Sequence, residues 1–233
     1  MAEVDHGPWL VGEVVDEHAG RRTERERVGD VLRERILAGE LAAGVRIDLD
    51  ECAREFGTSR TPVREACLTL AQDGLVRVAQ RSGVTVIGVS AESTIENFTL
   101  MAALSGVAAQ WAAARIEPRQ LLRVRELHRE IRIATEVGDD IATLNWQFHR
   151  EINKAAGSPR LEGMLADAGR MIPRRFFDLF PEQVPCSLDE HDELVTALAH
   201  GDGATARQVS EGHFDAAAQL LVKHLRDREL TEN

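Results

Sequence analysis

Two groups of side chains in this sequence have types and spacings that could do chemistry. The first group is Ser59, Arg60, Thr61 and Arg64, at the predicted start of one helix. Arg60 and Arg64 are four residues apart and therefore share a helix face. An arginine fork pairs with O6 and N7 of guanine, while small hydroxyls and helix amides suit phosphates. An isolated helix arginine is more commonly a solvated charge, so a DNA-reading role depends on the elements around it.

The second group contains three histidines and one amide. Asn145 and His149 are four residues apart and share a helix face, whereas His191 and His213 fall on two other predicted helices. If these helices form a bundle, the imidazoles and the amide oxygen suit zinc, nickel or a related divalent ion. Each histidine taken singly is more commonly a packed or exposed residue. Two further histidines are predicted to lie at the surface: His128 and His200.

Three predicted helices position the first group. Apolar residues recur at helical spacing from Thr23 to Ala38. A short helix begins at the predicted N-cap Asp48 and runs through Phe56. After a turn, the helix that carries the two arginines runs to Gln72. The order of elements is therefore helix, turn, helix.

A predicted β-hairpin follows these helices. Two β-branched runs at 75–78 and 84–87 flank a loop that contains glycine. Arg77 and Arg81 lie on this hairpin, where they could contact the DNA backbone or the minor groove. A hairpin after a helix-turn-helix is a wing, and this order favours a DNA-reading role for the arginines over solvated charges.

The second group lies in a region without a strand signal. Six helices are predicted after Ser90, over 91–115, 119–137, 140–156, 160–179, 187–200 and 203–228. The fold class is therefore mainly α, with an N-terminal winged helix-turn-helix and a C-terminal all-helical bundle. The predicted domains are a tail over 1–22, a DNA-binding domain over 23–90 and an effector-binding and dimerisation domain over 91–233.

Charge and cysteine content limit the class of protein. The net charge is -11, but residues 21–90 carry 12 basic against 11 acidic side chains and so escape the acidic excess. This segment is the expected surface for a polyanion. The three cysteines fit neither a disulfide framework nor a zinc finger, which favours a reducing cytoplasm. No apolar run reaches the length of about 18 residues that a membrane span needs, so no membrane partner is expected.

The residues from Ser59 to Ala66, followed by Gly74-Leu75-Val76, resemble the signature of the GntR family of bacterial transcription regulators. Leu41-Ala42-Ala43-Gly44 is similar to the family's approach to its second helix. The resemblance implies a winged helix-turn-helix that reads DNA and in which Gly83 shapes the wing tip. The residues that it assigns to DNA reading are Ser59, Arg60, Thr61 and Arg64. Some members have a DNA-contacting arginine where this chain has Asp50, so that contact is not expected here.

The segment Phe148-His149-Arg150, together with Glu190-His191 and His213, resembles the FCD domain, the helical effector-binding half of one GntR branch. With six predicted helices, the chain is similar to the six-helix subgroup. The resemblance implies a metal held by three histidines and an Asp or Asn, with small carboxylate effectors bound near it. Asn145 is a neutral amide at the place where many members have Asp, which weakens the attraction for a cation.

Many members of this branch also carry an arginine and a glutamate in the first helix of the domain. Here those places are Met101 and Ser105, so that carboxylate clamp is missing. Arg174 and Arg175 could replace it as effector-binding residues, although a solvated basic pair is the simpler interpretation.

These patterns together predict a metabolite-responsive transcription regulator in the cytoplasm that is not an enzyme. A homodimer would bind a near-palindromic operator, and an effector, expected to be a small organic acid, would act at the metal site. Two alternatives stay open. The histidines could serve a metal-dependent enzyme, or the pocket could be vestigial and free of metal.

Overall fold

The computed structural model describes residues 23–79, 83–173 and 176–231, with side chains described as far as residue 226. The predicted tail over 1–22 lies outside the described residues, and so do Arg81, Arg174 and Arg175.

 

The described residues are about 75% helical, with one small three-stranded antiparallel sheet.

The first three helices pack around one apolar core. They are α1 (Glu24–Leu37), α2 (Leu49–Glu55) and α3 (Arg60–Gln72). Thr23 caps α1 in a reciprocal box with Glu26, and Asp48 caps α2 by accepting hydrogen bonds from two backbone amides. Val28, Val63 and Leu70 are fully buried between α1 and α3. This core fixes the position of α3 and leaves the opposite face of that helix in solvent.

The wing is a three-stranded antiparallel sheet with the strand order β1-β3-β2. Its strands are β1 (Arg46–Ile47), β2 (Val76–Ala79) and β3 (Gly83–Val86). The predicted hairpin is β2 and β3, in which Val76 lies opposite Val86. The sequence did not predict β1, because two residues are too short to show an alternating pattern.

The second half is helical throughout its described residues. Its segments are α4 (Ala91–Arg115), α5 (Pro118–Val137), α6 (Ala142–Ala155), α7 (Pro159–Gly169), α8 (Phe176–Leu179), α9 (Gln183–His200) and α10 (Gly203–Thr231). The long helices α4 and α10 pack against each other, and α5, α6 and α9 complete the bundle around Leu127, Phe148 and Leu198.

Two boundaries in this half differ from the prediction. The segment predicted as one helix over 160–179 contains α7 and the single turn α8, because α7 ends at Gly169 and Pro173 disfavours helical backbone at the residue before it. The helix predicted from 187 begins four residues earlier, at Gln183. The described part of this half therefore has seven helical segments where six were expected.

The two halves contact each other after α7. Met171 is partly buried against the core of the winged helix, as is Val89, which precedes α4. In the part of the chain that the structure describes, none of the helices is long and apolar enough to cross a membrane.

Candidate DNA-reading helix and histidine cluster

The face of α3 that points away from the core carries the first group of predicted site residues. Ser59 is the N-cap in an extended conformation, and Ser59, Arg60, Thr61 and Arg64 are all exposed. The buried positions of α3 follow the helical period on the other side of the helix: Val63, Ala66, Cys67 and Leu70. The structure therefore brings both arginines to one exposed face at the N-terminal end of a helix, where backbone N–H groups also point outward.

Asp50 is closer to this face than the sequence indicated. Its Oδ1 atom lies 3.2 Å from Nε of Arg60, in an ion pair whose two side chains are 61% and 65% exposed, respectively. An exposed pair of this kind contributes at most about 1 kcal/mol and can be broken by a stronger partner. Sequence reasoning treated Asp50 only as a lost contact, since a pairing across ten residues depends on the turn between α2 and α3.

The wing presents one predicted arginine and a glycine with a special backbone. Arg77 is exposed on β2 and lies opposite Thr85. Gly83 begins β3 with φ of +86°, and a Cβ atom there would meet nothing within 4 Å. A side chain at Gly83 would have room, but the left-handed backbone would be strained. Arg81, predicted to contact DNA from the wing, is outside the described residues.

The three predicted histidine ligands meet inside the helical half. His149 on α6, His191 on α9 and His213 on α10 each offer a ring nitrogen, and these nitrogens lie within 4.8 Å of one another. The centroids of the three rings are 4.9 to 5.1 Å apart. Three helices thus bring together residues that are separated by as many as 64 positions, in an arrangement that could hold a metal ion.

Several polar atoms of this cluster are buried without a hydrogen-bond partner among the described residues. They are Oδ1 of Asn145, Nε2 of His149 and both ring nitrogens of His191. Burial, with the nearby His213 as a second cause, lowers the pKa of His149 and of His191 well below its usual value. Both imidazoles are therefore neutral at pH 7, as metal ligands must be. An unpartnered buried polar atom is destabilising by about 1–3 kcal/mol, so these four atoms form a site that could accept a partner from outside the chain.

Two carboxylates adjacent to His191 contact histidines on different helices. Glu190 accepts a hydrogen bond from Nδ1 of His213, with the two atoms 2.6 Å apart. Asp192 lies 2.7 Å from Nε2 of His128 on α5 and also pairs with Arg132. Sequence reasoning placed the two acids on different sides of α9 but did not identify their partners. The adjacency of Glu190 to His191 was the only available signal.

The surface position predicted for His128 is wrong. Its side chain is buried, with its ring centroid 5.7 Å from that of His191. The prediction failed because α5 packs closely against α9, a contact that the sequence pattern does not reveal. His200 is exposed, as expected.

The two positions at which this chain lacks the carboxylate clamp face the interior of the bundle. Met101 and Ser105 lie on α4 and are both almost fully buried. Neither residue brings a positive charge to the interior of the bundle. Arg174 and Arg175, the predicted replacements, fall between α7 and α8 and lie outside the described residues.

Comparisons with known proteins agree with this architecture. The family model of the FCD domain matches residues 96–226, and that of bacterial regulatory proteins of the gntR family matches residues 24–86. An uncharacterised HTH-type transcriptional regulator of Mycobacterium tuberculosis is 27% identical over 202 residues, which cover 87% of this chain and 82% of the relative. The HTH-type transcriptional repressor RspR of Escherichia coli is 25% identical over 208 residues, covering 87% and 86%.

Among solved structures, Escherichia coli McbR/YncC superposes with a TM-score of 0.71 at 24% sequence identity. The match covers 88% of this chain and 99% of the other. This similarity supports the order and packing of the helices in both halves.

Proposed function

Because this chain belongs to the GntR family of bacterial regulatory proteins and its second half is an FCD domain, we propose that it is a metabolite-responsive regulator with a metal-anchored effector site. It is a transcription regulator with an effector-binding domain, and neither its families nor its relatives are enzymes. The proposal adds the residues that read DNA, the metal, the effector class and the dimer. Since its target is bacterial DNA, we propose that it acts in the cytoplasm.

DNA reading is proposed for the exposed face of α3. Arg60 and Arg64 are the base-reading side chains, and Ser59 and Thr61 contact phosphates. The observation that supports this is the exposure of both arginines at one helix N-terminus, on a helix held from behind by a fully apolar core. On the wing, Arg77 and Arg81 contact the DNA backbone or minor groove, and Gly83 shapes the wing tip.

The test of this assignment is Arg64→Ala, with binding measured by fluorescence anisotropy on an operator selected from genomic DNA. We expect operator binding to be lost while the protein remains folded, since a bidentate contact to a base contributes about 1–3 kcal/mol in each half-site. Arg125→Ala is the matched control, because Arg125 is an exposed helix arginine in the other half. Unchanged affinity in Arg64→Ala would contradict the assignment.

A divalent metal, zinc or nickel, is proposed at the histidine cluster. The residues fit such an ion, because the buried nitrogens of His149 and His191 are unpartnered and the imidazoles are neutral. His149, His191 and His213 are the nitrogen ligands, and the unpartnered Oδ1 of Asn145 is the oxygen ligand. A bound ion supplies a Lewis acid with open positions for an organic anion.

The effector is proposed to be a small carboxylate. The interior positions Met101 and Ser105 offer no charge to pair with it. The metal is therefore its main anchor, and Arg174 and Arg175 are the proposed second contact. A ligand changes the affinity for DNA only if it binds one arrangement of the two halves more tightly than another.

The metal and the effector are tested together. We expect metal analysis of tag-free protein to find one divalent ion per chain, which a His149→Ala/His213→Ala double variant lacks. A thermal-shift screen of small organic acids should then show stabilisation of the metal-loaded wild type alone. Wild-type protein without metal and without an acid response would favour the alternative, a regulator with a vestigial pocket.

A homodimer on a near-palindromic operator is proposed from the requirement that two copies of α3 read two half-sites. The helix α4 offers a surface for the second copy. Leu100 and Trp111 are 11 residues apart on one exposed face of α4, with the partly buried Leu104 and Val107 between them. We expect Leu100→Glu to shift sedimentation toward the monomer. Leu122→Glu, at a comparably exposed leucine on α5, should leave the dimer intact.

A further inference from the structure

One carboxylate is in direct contact with the histidine cluster. Glu190 on α9 accepts a hydrogen bond from Nδ1 of His213 on α10 at 2.6 Å. The His213 side chain is 9% exposed and that of Glu190 is 28% exposed, so this contact is largely shielded from water. A charge-assisted hydrogen bond in such surroundings holds the ring more firmly than one at the surface.

The contact determines which nitrogen of His213 can bind a metal. When Nδ1 donates its proton to a carboxylate, Nε2 carries the free lone pair. His213 belongs to the cluster formed with His149 and His191, and its Nδ1 is engaged by Glu190, which leaves Nε2 as its available ligand atom. His149 and His191 have unpartnered nitrogens and no comparable contact.

The contact also brings charge to a site that otherwise lacks it. The three imidazole rings and the Asn145 amide carry no negative charge, whereas a divalent ion carries two positive ones. Buried cations require compensating charge or strong dipoles. A carboxylate that is hydrogen-bonded to a ligating histidine raises the basicity of the ring. Its own negative charge is then separated from the ion by that imidazole ring.

We propose that Glu190 is a positioning residue of the metal site, which fixes the tautomer of His213 and supplies the negative charge that Asn145 does not. This inference rests on the proposed metal site, but the tautomer is a property of the metal-free protein as well. It can therefore be tested with and without an ion.

The first experiment reads the tautomer directly. The full chain, labelled with nitrogen-15 in histidine and freed of metal, is examined by NMR at pH 7.5. We expect the wild type to carry the proton of His213 on Nδ1. Glu190→Gln should keep this tautomer, because the amide oxygen can still accept the hydrogen bond, whereas Glu190→Ala should lose the preference.

The second experiment measures zinc affinity by competition with a chromogenic chelator. Glu190→Ala should weaken zinc binding by about 10–100-fold, the range for loss of a partner that orients a ligand. Glu190→Gln should fall between Glu190→Ala and the wild type, because it restores the hydrogen bond without the charge. Asp189→Ala removes the same charge from the exposed neighbouring residue and should leave the affinity unchanged.

The outcomes separate this inference from the proposal that it rests on. Failure of the wild type to bind zinc would contradict the metal site. Zinc binding that is equally tight in the wild type, Glu190→Ala and Glu190→Gln would overturn the role of Glu190 alone, as would a wild-type His213 protonated on Nε2. If Glu190→Ala does not fold, the comparison of Glu190→Gln with the wild type decides the question.

Discussion

The exposed face of α3 that carries Arg60 and Arg64, here called the reading face because it is proposed to read DNA, differs from the histidine cluster in how its polar side chains are held. On α3 the polar groups are exposed, so water satisfies them, and the apolar core behind them does not depend on their identity. In the cluster, polar atoms of Asn145, His149 and His191 are removed from water and lack partners among the residues that the structure describes. The polar groups of the first site therefore have little effect on the free energy of unfolding, whereas those of the second site lower it.

The largest change in the free energy of unfolding is expected at the ion pairs that connect α1 with the C-terminal end of α3. Arg33 on α1 is buried and pairs with Asp73 at the end of α3, 2.7 Å away, and with Asp30 at 3.1 Å. Arg33→Ala should lower the free energy of unfolding by about 3 kcal/mol, at the lower end for a buried pair because both acids are partly exposed. Urea unfolding measures this change.

Arg33→Met is the control for packing, because it retains an apolar stem of similar length. We expect it to lose less stability than Arg33→Ala. A change below about 0.5 kcal/mol in Arg33→Ala would mean that the position of α3 depends on its apolar core alone.

The second effect is a pH dependence confined to the helical half. Because burial lowers the pKa of His149 and of His191 in the folded state, the unfolded chain binds more protons below its own histidine pKa of about 6.5. Stability must then fall as the pH drops below that value. For the two groups together we expect a loss of about 2 kcal/mol between pH 6.5 and 5.5 in metal-free protein.

Urea unfolding at several pH values checks this loss against two variants. His200→Ala removes an exposed histidine and should keep the full pH dependence, whereas His191→Leu should lose about half of it. Equal slopes in His191→Leu and the wild type would show that His191 is not held neutral by burial.

The third prediction compares a substitution in each site. His191→Leu replaces two unpartnered nitrogens with apolar atoms of similar volume and should raise the stability of metal-free protein by about 1–2 kcal/mol. Arg64→Ala, on the exposed face, should change stability by less than about 0.5 kcal/mol. Thermal and urea unfolding of both variants measure the contrast. A destabilised His191→Leu would contradict the claim that the unpartnered nitrogens of His191 lower the stability of metal-free protein.

The same contrast explains which features the sequence could predict. Helical periodicity and capping residues such as Asp48 are local signals, and they located α1 to α3 and the hairpin. The convergence of His149, His191 and His213 was also expected, once their helices were assumed to form a bundle. Local signals do not contain the contact between α5 and α9 that buries His128.

The close packing at the C-terminal end of α7 is a tertiary feature as well. Trp146 of α6 packs so closely against Gly169 that a Cβ atom there would lie 2.4 Å from the indole ring. The low helix propensity of one glycine is only a modest penalty, so the helix predicted from the periodic pattern ran through Gly169. The position of the indole, beside the proposed ligand Asn145, is known only when the helices are packed.

The smallest effect concerns Asp50, which forms an ion pair with the proposed DNA-reading residue Arg60. Asp50→Ala removes the ion pair with Arg60 and a negative charge beside the proposed DNA-reading face. Stability should change by less than about 0.5 kcal/mol, and operator affinity should rise by about threefold at low salt, with the gain shrinking as salt screens the charge. Asp139→Ala, at an exposed acid in the helical half, should leave the affinity unchanged. A loss of affinity in Asp50→Ala would mean instead that the carboxylate holds Arg60 in its reading position, and the face of α3 would then share with the histidine cluster a dependence on a neighbouring acid.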